Sequence, residues 1–280
     1  MSTKVSAVAP PQADPRSMPR PAFWHLLQSE WTKLRSVRST VWTLVLLVII
    51  TIGITALITG LTAANWSKAS ASQQVSIQTD PISSILGAGL YFGQLTIIVL
   101  GVLVLSSEYS TGAIRASLLA VPRRVPMLVA KVIMFAVIVF VVGEIVSFVA
   151  YFLGSALLHS HVTVSLSNPN VLRAVVGAGL YLTVLGLFAM SIGGLVRHTA
   201  GAITGTIAFV IVLEPLSTLI PGTWGNHIHD YLPTAAGRLI IQTQPVSGQV
   251  LPAWGGFALF CAWTAALLIA AGLLLKYRDA

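Results

Sequence analysis

Charge is what this sequence has least of. Asp, Glu, Lys and Arg together make up 9% of its 280 residues, where a soluble domain carries about a quarter. So few charges cannot coat a water-facing surface, and with 55% hydrophobic residues the chain must be solvated largely by lipid. Cysteine is nearly absent. Cys261 stands alone inside an apolar stretch, which excludes an internal disulfide and offers no metal-ligand spacing. The motifs of several enzyme classes are missing as well: no G-x-x-x-x-G-K-[ST] loop to cradle phosphates, no H-E-x-x-H zinc helix and no G-x-S-x-G nucleophile elbow. The spans offer no coherent set of acid, base and nucleophile, so an intramembrane enzyme is the weakest reading, and no cofactor is expected.

What is present is a series of long apolar runs. A helix crossing the hydrocarbon needs about 20 mostly apolar residues, and six stretches qualify: residues 41–61, 82–105, 128–153, 171–196, 199–220 and 254–275. The expected fold is all-α, a polytopic integral membrane protein with six transmembrane helices. Spans four and five are separated only by Arg197-His198, so that turn must be tight. Residues 1–21 hold Pro10, Pro11, Pro15, Pro19 and Pro21 with little apolar content. They read as a disordered tail and not as a signal peptide, because no short apolar core with a cleavage site follows. Residues 22–280 then form one membrane domain.

The net charge of +8 invites a nucleic-acid reading, but the basic residues are scattered between apolar spans, which fits anchoring at a negative cytoplasmic leaflet instead. With the N-terminus inside, thirteen of the 16 Lys and Arg fall on the inner side, among them Lys33, Arg35, Arg38, Arg115, Arg123, Arg124, Lys131 and Arg197; only Lys68, Arg173 and Arg238 fall outside. Both termini are therefore expected in the cytoplasm. Residues 23–38, FWHLLQSEWTKLRSVR, recur in Phe23, Leu26, Leu27, Trp31 and Leu34 at near-helical spacing with a basic flank. This suits a helix lying in the inner interface; the plainer alternative is an ordinary basic flank of the first span.

Polar residues inside or between spans are the candidates for function. His159 and His161, with His227, His229 and Asp230, have side chains that bind metals, but H-x-H pairs in polar loops are common and no cluster spacing supports a site. Glu144 interrupts span three, and Glu214, followed by Pro215, interrupts span five toward its outer end. Each either faces a helix interface or polar pathway, or is merely tolerated, neutralised by burial or reaching the headgroups. The glycines of GQLTIIVLG (residues 93–101) and VGAGL (176–180) are explained by close helix packing. Within the long outer segment 221–253, Ala235 to Ile241 is expected to form a short helix or a partly re-entrant stretch.

The segment between spans two and three is the most specified. In SEYSTGAIRASLLAVPRR, residues 107–124, Gly112 permits a reversal, Ser110 or Thr111 can cap a helix, Pro122 ends it, and Pro126 opens span three. This stretch, with E-Y-x-x-G-x-I-R at Glu108 to Arg115, resembles the cytoplasmic segment of type-2 ABC-transporter permeases. LLQSEWTKLRSVRSTVWTL resembles the interfacial helix and first span of bacterial members, and YLPTAAGRLI their outer segment before the last span. The resemblance runs from about Phe23 to the end of span six. It implies a type-2 ABC-transporter permease fold of six helices in the bacterial cell membrane, an exporter subunit that pairs with a second permease, identical or related, and docks on a separate cytoplasmic ABC ATPase. Hydrolysis would then belong to that partner and this chain would be no enzyme. The resemblance places docking between Gly112 and Ala120, with Glu108, Tyr109, Gly112, Ile114, Arg115 and Ser117 as the residues concerned. The competing reading is a membrane sensor or scaffold that moves nothing. The spans fit a lipid-like or amphipathic cargo without excluding a peptide or antibiotic.

Overall fold

The computed structural model describes residues 23–110, 124–245 and 248–277, and every regular element among them is helical. Helix α1 spans Phe23–Ser36, breaks at Val37, and is followed by α2 (Arg38–Ala64). A short α3 (Ala71–Thr79) precedes α4 (Pro81–Ser110). Then come α5 (Arg124–Leu158), α6 (Pro169–Val196), α7 (Thr199–Ala208), α8 (Glu214–Ser217), α9 (Gly222–Tyr231), α10 (Pro233–Arg238) and α11 (Ala253–Tyr277). Among the described residues six helical stretches are long and apolar enough to cross a membrane: α2, α4, α5, α6, the run Thr199–Ser217, and α11. These are the six spans expected, with longer ends in all but the fifth, which stops at Ser217 rather than 220. At 1.5 Å per residue, the 35 residues of α5 reach about 52 Å, well past the hydrocarbon on both sides.

Two of the six form the centre. In their most apolar windows α4 is 67% and α6 72% buried, against 22–28% for the other four. The centre is built on small residues, since lipid supplies no hydrophobic force between helices and attraction comes from close packing. At Gly101 a β-carbon would collide with the Gly186 carbonyl, and at Gly179 with the side chain and backbone nitrogen of Glu144. The apolar side chains left outside, such as Ile49, Leu57, Ile145, Phe152 and Ile269, face where lipid tails belong. Helix α2 packs on α4 and α5, α5 on α6, and α11 on α6.

The fifth span carries the irregularity its sequence foretells. Pro215 has no N–H to give the ladder, and its ring crowds the carbonyl four residues back, at Ile211. The chain answers with a π-helical stretch, Phe209–Leu213, joining α7 to α8. The turn between spans four and five is as tight as expected. Arg197 adopts a left-handed φ of 55°, and His198 caps α7 by accepting from the Gly201 amide at 3.0 Å.

In helix α1 Leu34 and Glu30 are buried one turn apart, while Phe23, Trp24 and Trp31 are exposed on the protein surface. The loop after α2, polar in sequence, contains α3, whose first turn is closed by a Ser70–Gln73 capping box. The expected tail of residues 1–21 lies outside the described residues.

The bundle has two ends. One carries α1 and the C-termini of α4, α6 and α11. The opposite end carries α3, α9 and α10. There α10 and the 3-10 turn Leu239–Ile241 are almost wholly buried between α6 and α11, which gives the short helix expected over residues 235–241.

Candidate functional site

At the α1 end four charged side chains close a ring. Lys131, in the second turn of α5, donates to Glu30 Oε2 at 2.6 Å and to Glu108 Oε1 at 2.8 Å. Lys33 donates to Glu30 Oε1 at 2.9 Å and stands 3.6 Å from Glu108 Oε1. Each carboxylate thus meets both ammonium groups, and the ring is neutral. Three elements are joined: α1 supplies Glu30 and Lys33 one turn apart, α4 supplies Glu108 from its last turns, and α5 supplies Lys131. The side chains of Glu30 and Lys131 are only 2% and 3% exposed, so the low dielectric that strengthens their attraction also makes any unpaired member expensive. Burial by itself would lower the Lys33 pKa, but the hydrogen bond and charge of Glu30, followed by Glu108, outweigh it and hold the ammonium above the ordinary lysine value. The sign follows: Lys33 contributes fully below its unfolded pKa, and the contribution is lost only as pH rises through the higher folded value.

The ring revises two readings of the sequence. Lys131, grouped with the cytoplasmic anchors, is withdrawn from any headgroup and paired inside the protein. Glu108, expected on a docking rim, has its Oε1 turned inward onto Lys131. Tyr109 is half-buried, with the Arg197 guanidinium 4.8 Å from its ring centre, and Arg197 also donates to the Leu274 carbonyl at 3.1 Å. That residue therefore ties together the ends of α4, α6 and α11. Gly112, Ile114, Arg115 and Ser117 lie outside the described residues. Glu30 was missed in the sequence. The available signal was an acid three residues before a lysine on an otherwise apolar helix face.

The two in-span glutamates sit at helix interfaces. Glu144 lies where α5 crosses α6 at Gly143 and Gly179. Its Oε1 is buried without a hydrogen-bond partner among the described residues, as is the Ser147 hydroxyl one turn on. Glu214 does not reach the surface as its position near the span end suggests: it is fully buried, accepts from the Thr234 hydroxyl at 2.6 Å, and pairs with Arg238. The π-helical stretch and Pro215 thus deliver a carboxylate to the buried α10. Further into the bundle, Tyr181 of α6 donates to Gln94 of α4 at 2.9 Å, and the Gln94 amide nitrogen has no partner among the described residues. Both line a cavity of about 200 Å³ with Ser83, Tyr91, Arg238 and Gln242.

The histidines do not converge on a metal. His161 stacks on Trp66 at 4.6 Å, His229 hydrogen-bonds Ser217 at 2.8 Å, and Asp230 accepts from the Val250 amide at 2.6 Å. Among the described residues no three His, Cys, Asp or Glu side chains gather as a cation site.

A family model described as ABC-2 family transporter protein matches residues 26–213. The match takes in the whole charged ring, the segment between α4 and α5, and the fifth span up to the π-helical stretch. No curated protein matches the chain.

Proposed function

The chain belongs to the ABC-2 transporter family, and from that membership we propose how this membrane permease subunit is driven and which way it works. It is a transport component; the ATP chemistry is assigned to a separate cytoplasmic ABC ATPase. The segment between α4 and α5, with Gly112, Ile114, Arg115 and Ser117, is the docking element, and both termini lie on the same cytoplasmic side in the bacterial cell membrane. Two permeases, identical or related, form the pathway, and the direction is export.

The observation that carries this reading is the ring of Glu30, Lys33, Glu108 and Lys131. It sits where α4 ends and α5 begins, on either side of the proposed docking element. A push on that element moves the ends of α4 and α5 together, because Lys131 bonds Glu108 across them, and α1 moves with them through Glu30. Since α4 is one of the two central helices, the displacement enters the core of the bundle. In this scheme Glu108 fixes the position of the docking element from behind, and Arg115 and Ser117 are the residues that meet the partner. Charged groups at such a rim set docking register more than affinity.

The test is a Ser117→Cys variant with Cys261→Ser, so that no other thiol reacts, co-expressed with the ATPase. A crosslink between the two chains is expected. In inside-out vesicles ATP should drive cargo into the lumen, and Glu108→Ala with Arg115→Ala should leave insertion intact while uncoupling hydrolysis from transport. Full transport in that double variant, with no crosslink from any position between Thr111 and Leu119, would defeat the proposal. ATP-driven movement out of such vesicles would overturn export alone.

A further inference from the structure

At the end of the bundle opposite the charged ring, α3 buries none of its nine residues. An isolated helix shorter than about 12–15 residues is marginal in water, and the capping box closes only the first turn of this one. Between α3 and the last two turns of α2 lies a groove of about 490 Å³. Its apolar lining is Ile58 and Leu61, both exposed on α2, with Ala69 and Ile77. Its polar lining is Thr62, Asn65, Lys68, Gln73 and Ser76, with no acid among them. Thr62 and Asn65 donate to the Ile58 and Leu61 carbonyls at 2.8 and 2.9 Å, and Gln73 Oε1 accepts from the Ser70 amide at 3.1 Å. The Lys68 ammonium and the Ser76 hydroxyl are exposed and make no hydrogen bond or ion pair among the described residues. The loop that carries Lys68 is nevertheless pinned on both sides. Trp66 stacks on His161 with ring centres 4.6 Å apart, and Gln74 Nε2 donates to the carbonyls of Trp66 at 2.8 Å and Ala69 at 3.3 Å. The other two basic residues at this end are engaged: Arg173 donates to the Gln242 carbonyl at 2.7 Å, and Arg238 pairs with Glu214. Lys68 is thus a fixed cation, uncompensated among the described residues, where the exposed apolar surface of α2 ends.

We infer that this groove holds the headgroup and first methylenes of an anionic phospholipid of the phosphatidylglycerol class, from the leaflet at the α3 end. The phosphate accepts from the Lys68 ammonium, the Ser76 hydroxyl and the Gln73 amide nitrogen meet the glycerol hydroxyls, and the acyl chain runs along Leu61 and Ile58 onto the lipid-facing side of α2. Lipid in the gap supplies the apolar contact that α3 does not receive from the protein. With one cation and no carboxylate, the lining complements a headgroup of net negative charge. A choline or ethanolamine headgroup brings a cation of its own, for which the groove has no acid. One lysine beside anionic lipid corresponds to about fivefold in affinity.

Full-length permease is placed in nanodiscs of phosphatidylcholine alone, or mixed with phosphatidylglycerol or phosphatidylethanolamine, and amide exchange over residues 71–79 is followed by mass spectrometry. The readout is local because basic residues at the α1 end also attract anionic lipid. A lipid that binds only the formed helix slows exchange in proportion to its affinity, so phosphatidylglycerol should slow α3 about fivefold relative to phosphatidylcholine, and phosphatidylethanolamine should not. Lys68→Gln should erase the difference, and because that side chain is exposed the variant folds. Leu61→Trp, which fills the groove without touching a charge, should erase it as well. Equal exchange with phosphatidylglycerol and phosphatidylcholine, or a difference that survives either variant, would overturn the inference. Slowing by phosphatidylethanolamine equal to that by phosphatidylglycerol would overturn the anionic class. Soluble glycerol phosphate added to phosphatidylcholine discs should change nothing, and slowing as large as that by phosphatidylglycerol would overturn the assignment to a membrane lipid. Neither ATPase docking nor the direction of transport enters the experiment.

Discussion

Replacing Lys131 by methionine keeps the length of the side chain and removes its charge. The change deletes contacts of 2.6 Å to Glu30 and 2.8 Å to Glu108 and takes the ring from neutral to one net negative charge. Lys33 remains, at 2.9 Å from Glu30 and 3.6 Å from Glu108, but it is partly exposed and cannot neutralise both. Removing one partner of a buried ionic network costs about 3–5 kcal/mol, or two to three and a half powers of ten in the folding equilibrium at about 1.4 kcal/mol per decade. A second substitution makes the reasoning testable. Glu30→Leu with Lys131→Met leaves Lys33 facing Glu108 and restores neutrality. Replacing a buried pair by apolar residues is often neutral or stabilising, so the double variant should lie within about 2 kcal/mol of the parent. The assay is unfolding in mixed micelles followed by circular dichroism, arranged as a double-mutant cycle with Glu30→Leu alone. Trp24 and Trp31, exposed on α1, report its release through their emission. If Lys131→Met is as stable as the parent, or the double variant is no better than the single, the ring does not hold α1 to the bundle. Should Lys131→Met fail to accumulate, recovery of the double variant is itself the readout.

Three other outcomes follow from the geometry. Gly179→Ala would set a β-carbon 2.5 Å from Glu144 Oε1 and 2.9 Å from its backbone nitrogen, forcing α5 and α6 apart; a loss of about 1–3 kcal/mol should appear in thermal unfolding and should persist in Gly179→Ala with Glu144→Ala, because the backbone clash remains. Arg238→Met leaves Glu214 buried with Thr234 alone; a cysteine introduced as Ala236→Cys in a Cys261→Ser background, unreactive to maleimide while α10 is buried, should become reactive. Reporter fusions after Ala280 and within residues 73–78 should fall on opposite sides of the membrane, and a C-terminal reporter on the outer side would require an odd number of spans.

The spans were legible because lipid imposes one dominant rule, and long runs free of charge satisfy it whatever the tertiary detail. Glycines 101 and 179 were read correctly as packing residues for the same reason. Helix α1 shows where periodicity stops being informative. Five apolar residues near helical spacing mark a face of the helix, but the residue that ties it to the bundle is the acid Glu30, in a buried salt bridge to Lys131. That bridge joins residues 101 positions apart, a separation no local pattern reveals. A count of basic residues by side treats Lys131 like Arg38, although one is buried and the other lies in an exposed first turn. The π-helical stretch was half legible. Pro215 announced a break, but the ladder absorbs it upstream of the proline, where the sequence is plain apolar.

The described acids, taken one by one, show what charge is for in this bundle. Asp80 at the start of α4 accepts from the Thr243 hydroxyl at 2.5 Å, and Asp230 accepts from the Val250 amide. Glu214 holds Arg238, and Glu30 and Glu108 share two lysines. Each reaches an element distant in sequence, as a bundle with no hydrophobic force between its helices requires. Glu144 is the exception among them: no hydrogen bond or ion pair from the described residues reaches it, although its Oε1 is buried against Gly179. A residue that adds nothing to the fold, in a position where an ionisable group is unfavourable by about 2.5–3.5 kcal/mol, is not explained by structure. Removing it should therefore separate stability from function. Glu144→Leu takes away an unpaired carboxylate and should leave unfolding unchanged or improved, while transport or pairing with the second permease falls. Unchanged transport and unchanged pairing would show that the membrane domain merely tolerates the residue.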